Sequence, residues 1–446
     1  MTQPPKSHLF YQSRSRRPQL DRAIGVYMWD VNGKRYLDGS SGAMVSNIGH
    51  SNQAVLNAMR AQMEKSTFGY RLHFETEPSE RLAAKTASLA PDGLDKVFFV
   101  SGGSEAVESA IKLARQYAIA VGQSSRWKVI SRSPSYHGCT LGALALTGYA
   151  TLTEPFEPMM RAMPKVPAPR AYLDGFDLND PTTGYHYANM LEAKILEQGK
   201  ESVLAFIVEP IGGASTGALV PPEGYMQRVR EICNHYGVLL IHDEVMSGGG
   251  RTGKFFSADH WSTVPDIIAI SKGFGAGYSP LGAMIAHDHV VDAVLDSGGF
   301  AHGFTYAGNP LACSAGLAVI KQIESNCMIE NSRTIGKLLK RRLDDLMLKY
   351  EFIGDVRGKG LLLAFELVSD RESMTPLPAE FNAYNRLVDI AYGYGLIIYS
   401  RRTRDGREGD HFLVCPPMIA TTEHVDEIIY MLDQSLIQFS AEIYNL

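Results

Sequence analysis

Cysteine is scarce in this 446-residue chain, and its spacing excludes more than its count does. The five cysteines (Cys139, Cys233, Cys313, Cys327, Cys415) contain no CxxC pair, so neither a disulfide framework nor a structural zinc site is expected. No metal ligand set is predicted. No run of Lys or Arg stands out against a formal net charge of −5, so the electrostatic footprint of a nucleic-acid binder is missing. Long apolar runs are missing too: no segment offers the roughly 18 uncharged apolar residues of a membrane span. Met1 to Leu20 is polar and basic, without the apolar stretch of a secretory signal. The expectation is a soluble cytoplasmic protein that is not exported and has no nucleic-acid or membrane partner. Repeats, low-complexity tracts and Gly/Ser linkers are also lacking. What remains is one compact body, 45% hydrophobic, suited to small-molecule chemistry.

The centre of the chain alternates short apolar runs with helical patterns. Lys96–Val100, Trp127–Ser131, Leu204–Val208, Val238–Ile241 and Ile267–Ile270 read as buried strands. Glu105 to Tyr117 places Val107, Ala110, Ile111 and Ala114 on one helical face, and Gly224 to His235 does the same with Met226, Val229 and Ile232. Such alternation predicts an α/β fold with a mostly parallel sheet flanked by helices. From Lys321 the pattern predicts one long helix through Tyr350, strands near Leu361–Leu367 and Leu396–Ser400, and a terminal helix after Thr421, a smaller α+β unit. Tyr27–Val31 and Lys34–Leu37 around Asn32-Gly33 read as a hairpin that joins that unit. The expected divisions are an N-terminal segment over 1–60 contributing to the small domain, a large domain over 61–325 and the small domain over 326–446.

Three motifs carry chemistry. Phe98 through Ala106 is a buried strand that turns through Gly102-Gly103 into a helix, where free N–H groups and the helix dipole favour an anion and Ser104 adds a hydroxyl. The same turn serves equally as a plain connection with Ser104 as the helix cap. Leu239 through Val245 ends a strand on Asp243 and Glu244, and a carboxylate at that edge of a parallel sheet can hold a metal or a protonated ring nitrogen. Its bland counterpart is a loop carboxylate capping the next element. Ile267 through Gly275 ends a strand on Lys272, where desolvation would depress the amine pKa and make it a Schiff-base nucleophile or proton shuttle. Alone, such a lysine is more often an ordinary surface loop residue. Taken together, phosphate, ring nitrogen and aldehyde sites describe pyridoxal 5'-phosphate. Gly248 through Lys254 imitates a phosphate loop and a dinucleotide turn, but Phe255 replaces the required hydroxyl residue and no clear amphipathic helix follows.

These stretches resemble the class III (ω-aminotransferase) family of fold-type-I pyridoxal-phosphate enzymes from about Tyr27 to the C-terminus. The matching runs are SGGSEAVESAIKLAR from Ser101, SYHG from Ser135, VEP from Val208, IHDEVMSGGGRTG from Ile241, ISKGFGAGYSPLGA from Ile270 and GFTYAGNPLACSAG from Gly303. The resemblance implies Gly103 and Ser104 on the phosphate, Tyr136 and Val245 on opposite faces of the ring, and Asp243 on its nitrogen. It also implies Lys272 on the aldehyde and as proton carrier, Glu209 in the site wall, and Thr305 on the phosphate of a neighbouring subunit. A homodimer with shared sites follows, alone or paired into a tetramer, acting on a small amine and a 2-oxo acid by ping-pong exchange.

Departures from the family pattern bear on substrate. Ala214 stands where ornithine- and 4-aminobutyrate-type members carry Glu and resembles the amine:pyruvate branch, so pyruvate is favoured over 2-oxoglutarate. Met246 replaces a frequent Gln, and Leu413 occupies the position of an arginine that decarboxylase relatives place before the Pro-Pro pair. A substrate carboxylate then needs another partner. Arg401 or Arg402 in Ser400–Arg407 is the candidate, since a guanidinium fork binds carboxylate bidentately, although a solvated basic loop reads as well. An aminomutase, racemase or decarboxylase of the same family is the alternative outcome, and a non-catalytic binding protein the alternative class.

Overall fold

A computed structural model describes residues 7–177 and 180–444. Three strands open the chain, β1 (Leu20–Ile24), β2 (Tyr27–Asp30) and β3 (Arg35–Asp38). The middle carries β4 (Lys96–Val100), β5 (Lys128–Ser133), β6 (Lys165–Pro167), β7 (Val203–Val208), β8 (Leu239–Asp243), β9 (Ile267–Ile270) and β10 (Gly282–Ala286). The last part carries β11 (Ile353–Lys359), β12 (Leu362–Asp370), β13 (Thr375–Pro376), β14 (Leu396–Ile397), β15 (Tyr399–Arg404) and β16 (Glu408–Val414).

Among the described residues the middle strands form one seven-stranded sheet in the order β4-β10-β9-β8-β7-β5-β6. It is mostly parallel: β10 alone opposes its neighbours. Every residue of β7 and β9 is buried, as expected for strands covered on both faces, which explains their apolar runs without alternation. The helix Gly103–Ala120 buries Ala106, Val107, Ala110, Leu113 and Ala114 against this sheet, and its small residues allow close approach. Because β4, β5, β7, β8 and β9 point the same way, the residues that follow them gather at one carboxyl edge. Ligands of open α/β sheets bind there.

The closing strands form an antiparallel sheet, β11-β12-β16-β15 with β13 on β12, packed against the helices Met328–Lys349 and Ala383–Tyr394, with Thr422–Tyr444 lying against those two helices. The opening hairpin forms as its sequence predicts, and β3 continues into a parallel pairing with β14.

Three expectations are corrected. The helix expected over Lys321 to Tyr350 is two helices, Pro310–Ser325 and Met328–Lys349, broken where Cys327 adopts a left-handed φ of 48°. Neither proline nor glycine marks that break. The single strand expected over Leu396–Ser400 divides at Ile398, with β14 joining β3 and β15 joining β16. The basic loop at Ser400–Arg407 is largely strand β15, and only its tip at Asp405-Gly406 turns, both with positive φ.

The false phosphate loop has a structural role. Arg251, fully buried, donates to the carbonyls of Leu361 (3.3 Å), Cys415 (3.1 Å) and Pro416 (2.5 Å), and to the side-chain oxygens of Ser41 (2.9 Å) and Asn47 (2.6 Å). One guanidinium thus ties both ends of the chain to the central sheet.

Candidate active site

A cavity at the carboxyl edge is lined by Gly103, Ser104, Tyr136, His137, Gly138, Glu209, Ile211, Asp243, Val245, Met246 and Lys272. Five separate segments meet there, each leaving a different strand.

The β4 turn delivers the helix Gly103–Ala120. Gly102, in extended backbone, is its N-cap and no side chain caps it, so Ser104 is not the cap its sequence allowed. The Ser104 hydroxyl instead accepts the backbone N–H of Cys139 at 3.0 Å. First-turn N–H groups of a helix have no intrahelical partner, which makes this end an anion site. Glycine is required around it: a Cβ on Gly103 would lie 2.8 Å from Val245 Cγ1, and one on Gly138 would lie 2.7 Å from Ser104 Oγ.

Asp243 ends β8 and is held from two sides. His137 Nδ1 lies 2.8 Å from Asp243 Oδ2, and Val245 N–H donates to Oδ1 at 3.1 Å. A carboxylate accepts, so the His137 proton sits on Nδ1. Glu209, just past β7, accepts from Gly213 N–H at 2.9 Å and from Tyr136 N–H at 3.4 Å. Burial raises the Glu209 pKa, and the nearby His137 and Arg132 oppose that rise.

Lys272 follows β9 in a short turn with φ of 47°, a left-handed conformation uncommon for a residue with a Cβ. Such strain concentrates at functional sites. Its side chain is only partly accessible. Burial lowers the amine to about 8, Asp243 and Glu209 pull the other way, and the Arg401 charge adds to the lowering. Among the described residues the ammonium makes no hydrogen bond or ion pair.

Sequence reasoning placed seven of these lining residues and missed what His137 does, although the SYHG run contains it; Gly138 and Ile211 were not singled out. The two arginines part company. Arg402 Nε donates to Asp410 at 2.7 Å and its guanidinium stacks 4.4 Å from the Tyr384 ring centre. Arg401 is exposed, stacks at 4.8 Å on Tyr399, and has no carboxylate partner among the described residues. Thr305 does not line this cavity; it is exposed on the surface, beside Tyr306.

The pattern of the class-III aminotransferases matches residues 11–436. The chain belongs to the class III aminotransferases. It is 37% identical to an uncharacterized aminotransferase, YodT, of Bacillus subtilis, across 94% of this chain and 95% of that one. It is 33% identical to the putrescine–pyruvate aminotransferase of Pseudomonas aeruginosa, across 95% and 91%. An (S)-enantioselective omega-transaminase from Thermomicrobium roseum superposes with a TM-score of 0.91 at 35% identity, covering 97% of this chain and 96% of that one.

Class III aminotransferases use pyridoxal 5'-phosphate, and the residues present fit it. The anion site at Ser104, the glycines whose Cβ atoms would fill the cradle, a carboxylate fixed by His137 and an amine lowered to about 8 are the complementary groups. Among the described residues no cluster could hold a metal ion, and no helix is long and apolar enough to cross a membrane.

Proposed function

We propose that this aminotransferase moves an amino group from a small amine or amino acid to a 2-oxo acid, pyruvate in preference to 2-oxoglutarate, in two alternating half-reactions. The observation that carries this reading is the convergence of Ser104, Asp243 and Lys272, distant in sequence, on one cavity.

When bound, the cofactor supplies an electron sink for a carbanion. Gly103 and Ser104 would hold its phosphate, Tyr136 and Val245 its ring faces, and Asp243 its ring nitrogen, with Glu209 bracing the wall. Lys272 Nζ, at about 8, can both hold and release a proton near neutral pH, as a group must that bonds an aldehyde and carries a proton at the substrate carbon. Arg401, which has no carboxylate partner among the described residues, would bind the substrate carboxylate; Arg402 is occupied by Asp410. The pyruvate preference rests on Ala214 and on the Pseudomonas relative's name. Ala214 packs in an apolar cluster with Ile211 and Met246, side chains that themselves offer no charge to a second carboxylate. Leu413, wholly buried in that cluster, cannot serve either.

A homodimer is part of this reading. Phe68, Leu72, Phe74 and Tyr306 are large apolar residues left exposed, Phe68 and Tyr306 in ring contact at 5.9 Å, next to Thr305. A second copy covering them would bring Thr305 to the neighbouring phosphate.

The test is the visible spectrum of the cofactor-loaded protein titrated with amines, then with pyruvate or 2-oxoglutarate. Bleaching by one amine and recovery with pyruvate is the expected result. Bleaching that no 2-oxo acid reverses, or substantial turnover by Lys272→Ala, would overturn the assignment.

A further inference from the structure

Tyr136 and Arg401 lie in different parts of the fold, yet a short series of hydrogen bonds connects the residues beside them. Ser135, next to Tyr136, exchanges two backbone bonds with Gly148: Ser135 N–H to Gly148 O at 3.0 Å and Gly148 N–H to Ser135 O at 3.1 Å. The Ser135 hydroxyl accepts the same Gly148 N–H at 3.1 Å. This pairing has no slack, because a Cβ on Gly148 would lie 2.3 Å from the Arg132 carbonyl.

Tyr149 follows Gly148 and is buried, 5% exposed. Its hydroxyl donates to the Arg402 carbonyl at 2.8 Å and accepts the Arg402 N–H at 3.2 Å. β15 is the edge strand of its sheet, so these two backbone groups face away from the ladder and would otherwise lack a protein partner. One phenol satisfies both. The hairpin tip is laid on the same segment: a Cβ on Gly406 would meet Thr151 Oγ1 at 2.2 Å and the Tyr149 ring at 2.6 Å, and Arg407 pairs with Glu154. Arg402 cannot move independently, since Asp410 and Tyr384 hold its side chain.

We propose that Tyr149 is a positioning residue, which fixes the spacing between the cofactor ring face at Tyr136 and the carboxylate partner at Arg401 and thereby selects acceptors by where their carboxylate lies. The proposal rests on the reading of Arg401 given above. Tyr149 touches neither cofactor nor substrate; it acts through the backbone that carries Arg401. Its effect is confined to substrates with a carboxylate.

The experiment uses holoprotein loaded with pyridoxamine phosphate and follows single turnovers with pyruvate or with propanal, which lacks the carboxylate. Tyr149→Phe removes one oxygen. It should raise the pyruvate concentration needed for half-maximal rate about tenfold, the value of one or two hydrogen bonds, and leave propanal within about twofold. In an Arg401→Gln background, itself impaired with pyruvate, Tyr149→Phe should change nothing further, because contacts in one pathway are not additive. Equal losses with both acceptors, or full additivity with Arg401→Gln, would overturn the proposal. If Arg401→Gln leaves pyruvate unaffected, the Arg401 reading fails first and the proposal with it. Should Tyr149→Phe not fold, Glu154→Gln loosens the exposed hairpin tip instead. A pyruvate-only loss of about twofold then supports the positioning role, and no difference between the acceptors rejects it.

Discussion

The imidazole of His137 meets the carboxylate of Asp243 at 2.8 Å, and both side chains are almost wholly withdrawn from solvent. The bond fixes the tautomer of one residue and the orientation of the other. A hydrogen bond to a charged group contributes roughly 1.5–3 kcal/mol. His137→Phe should therefore reduce kcat about 10–100-fold through a misoriented Asp243. Asp243→Asn should be worse, because it removes the charge itself. Single-turnover rates with a fixed amine check the order, and a near-normal His137→Phe rate would show that Val245 N–H alone suffices.

Lys272 gives a stability prediction with a definite sign. Its amine is lowered from 10.5 to about 8 by burial. Between those values the unfolded chain binds more protons than the folded one, so folded-state stability rises with pH across that window. Below about 8 the whole penalty applies, on the order of 3 kcal/mol. Cofactor-free Lys272→Met should resist urea better than cofactor-free wild type at pH 7, and the advantage should shrink as pH approaches 10.5. Parallel unfolding curves with a constant gap at both pH values would contradict the burial of this amine.

The cradle glycines predict a cofactor-binding defect. In Gly103→Ala the new Cβ would press on Val245 Cγ1 at 2.8 Å, displacing a side chain that lines the cavity. Overpacking of this kind costs about 1–3 kcal/mol, so the cofactor Kd should rise roughly tenfold or more. Equilibrium dialysis against pyridoxal phosphate measures it, with an unchanged Kd as the contrary result.

Arg251→Leu should destabilise the protein without altering the cavity. It removes five hydrogen bonds, and the carbonyls of Leu361 and Pro416 and the Asn47 oxygen are left buried beside an apolar group, whereas the Cys415 carbonyl keeps the Ser41 hydroxyl. Stranded buried polar groups cost about 1–3 kcal/mol each, so a loss of at least about 3 kcal/mol is expected. Calorimetry on the holoprotein tests this, and an unchanged Tm would mean that water replaces the guanidinium.

The sheet was legible because strands buried on both faces must be apolar throughout: Ile267–Ile270 could hardly be anything else. Lys272, Asp243 and Ser104 were legible for a related reason, since each ends such a run, and a polar residue there faces the ligand edge. The break at Cys327 was not legible, because a non-glycine residue takes the left-handed turn that glycine usually advertises. The strand at Ser400–Arg407 was hidden by its arginines. Edge strands accept charge, and here Asp410 and Tyr384 answer that of Arg402 while Tyr149 takes its backbone groups. The contrast between Arg401 and Arg402 is likewise tertiary.

The Arg251 contacts also bear on how the chain acquires this shape. Its carbonyl acceptors lie 110, 164 and 165 residues further along the polypeptide, and its side-chain acceptors lie 204 and 210 residues back. During synthesis the strands of the central sheet are complete well before Pro416 leaves the ribosome. Until then this cation lacks two of the five acceptors that hold it in the finished fold. A chain ended ahead of Cys415 would therefore keep Ser104, Asp243 and Lys272 yet leave this guanidinium with three of its five acceptors.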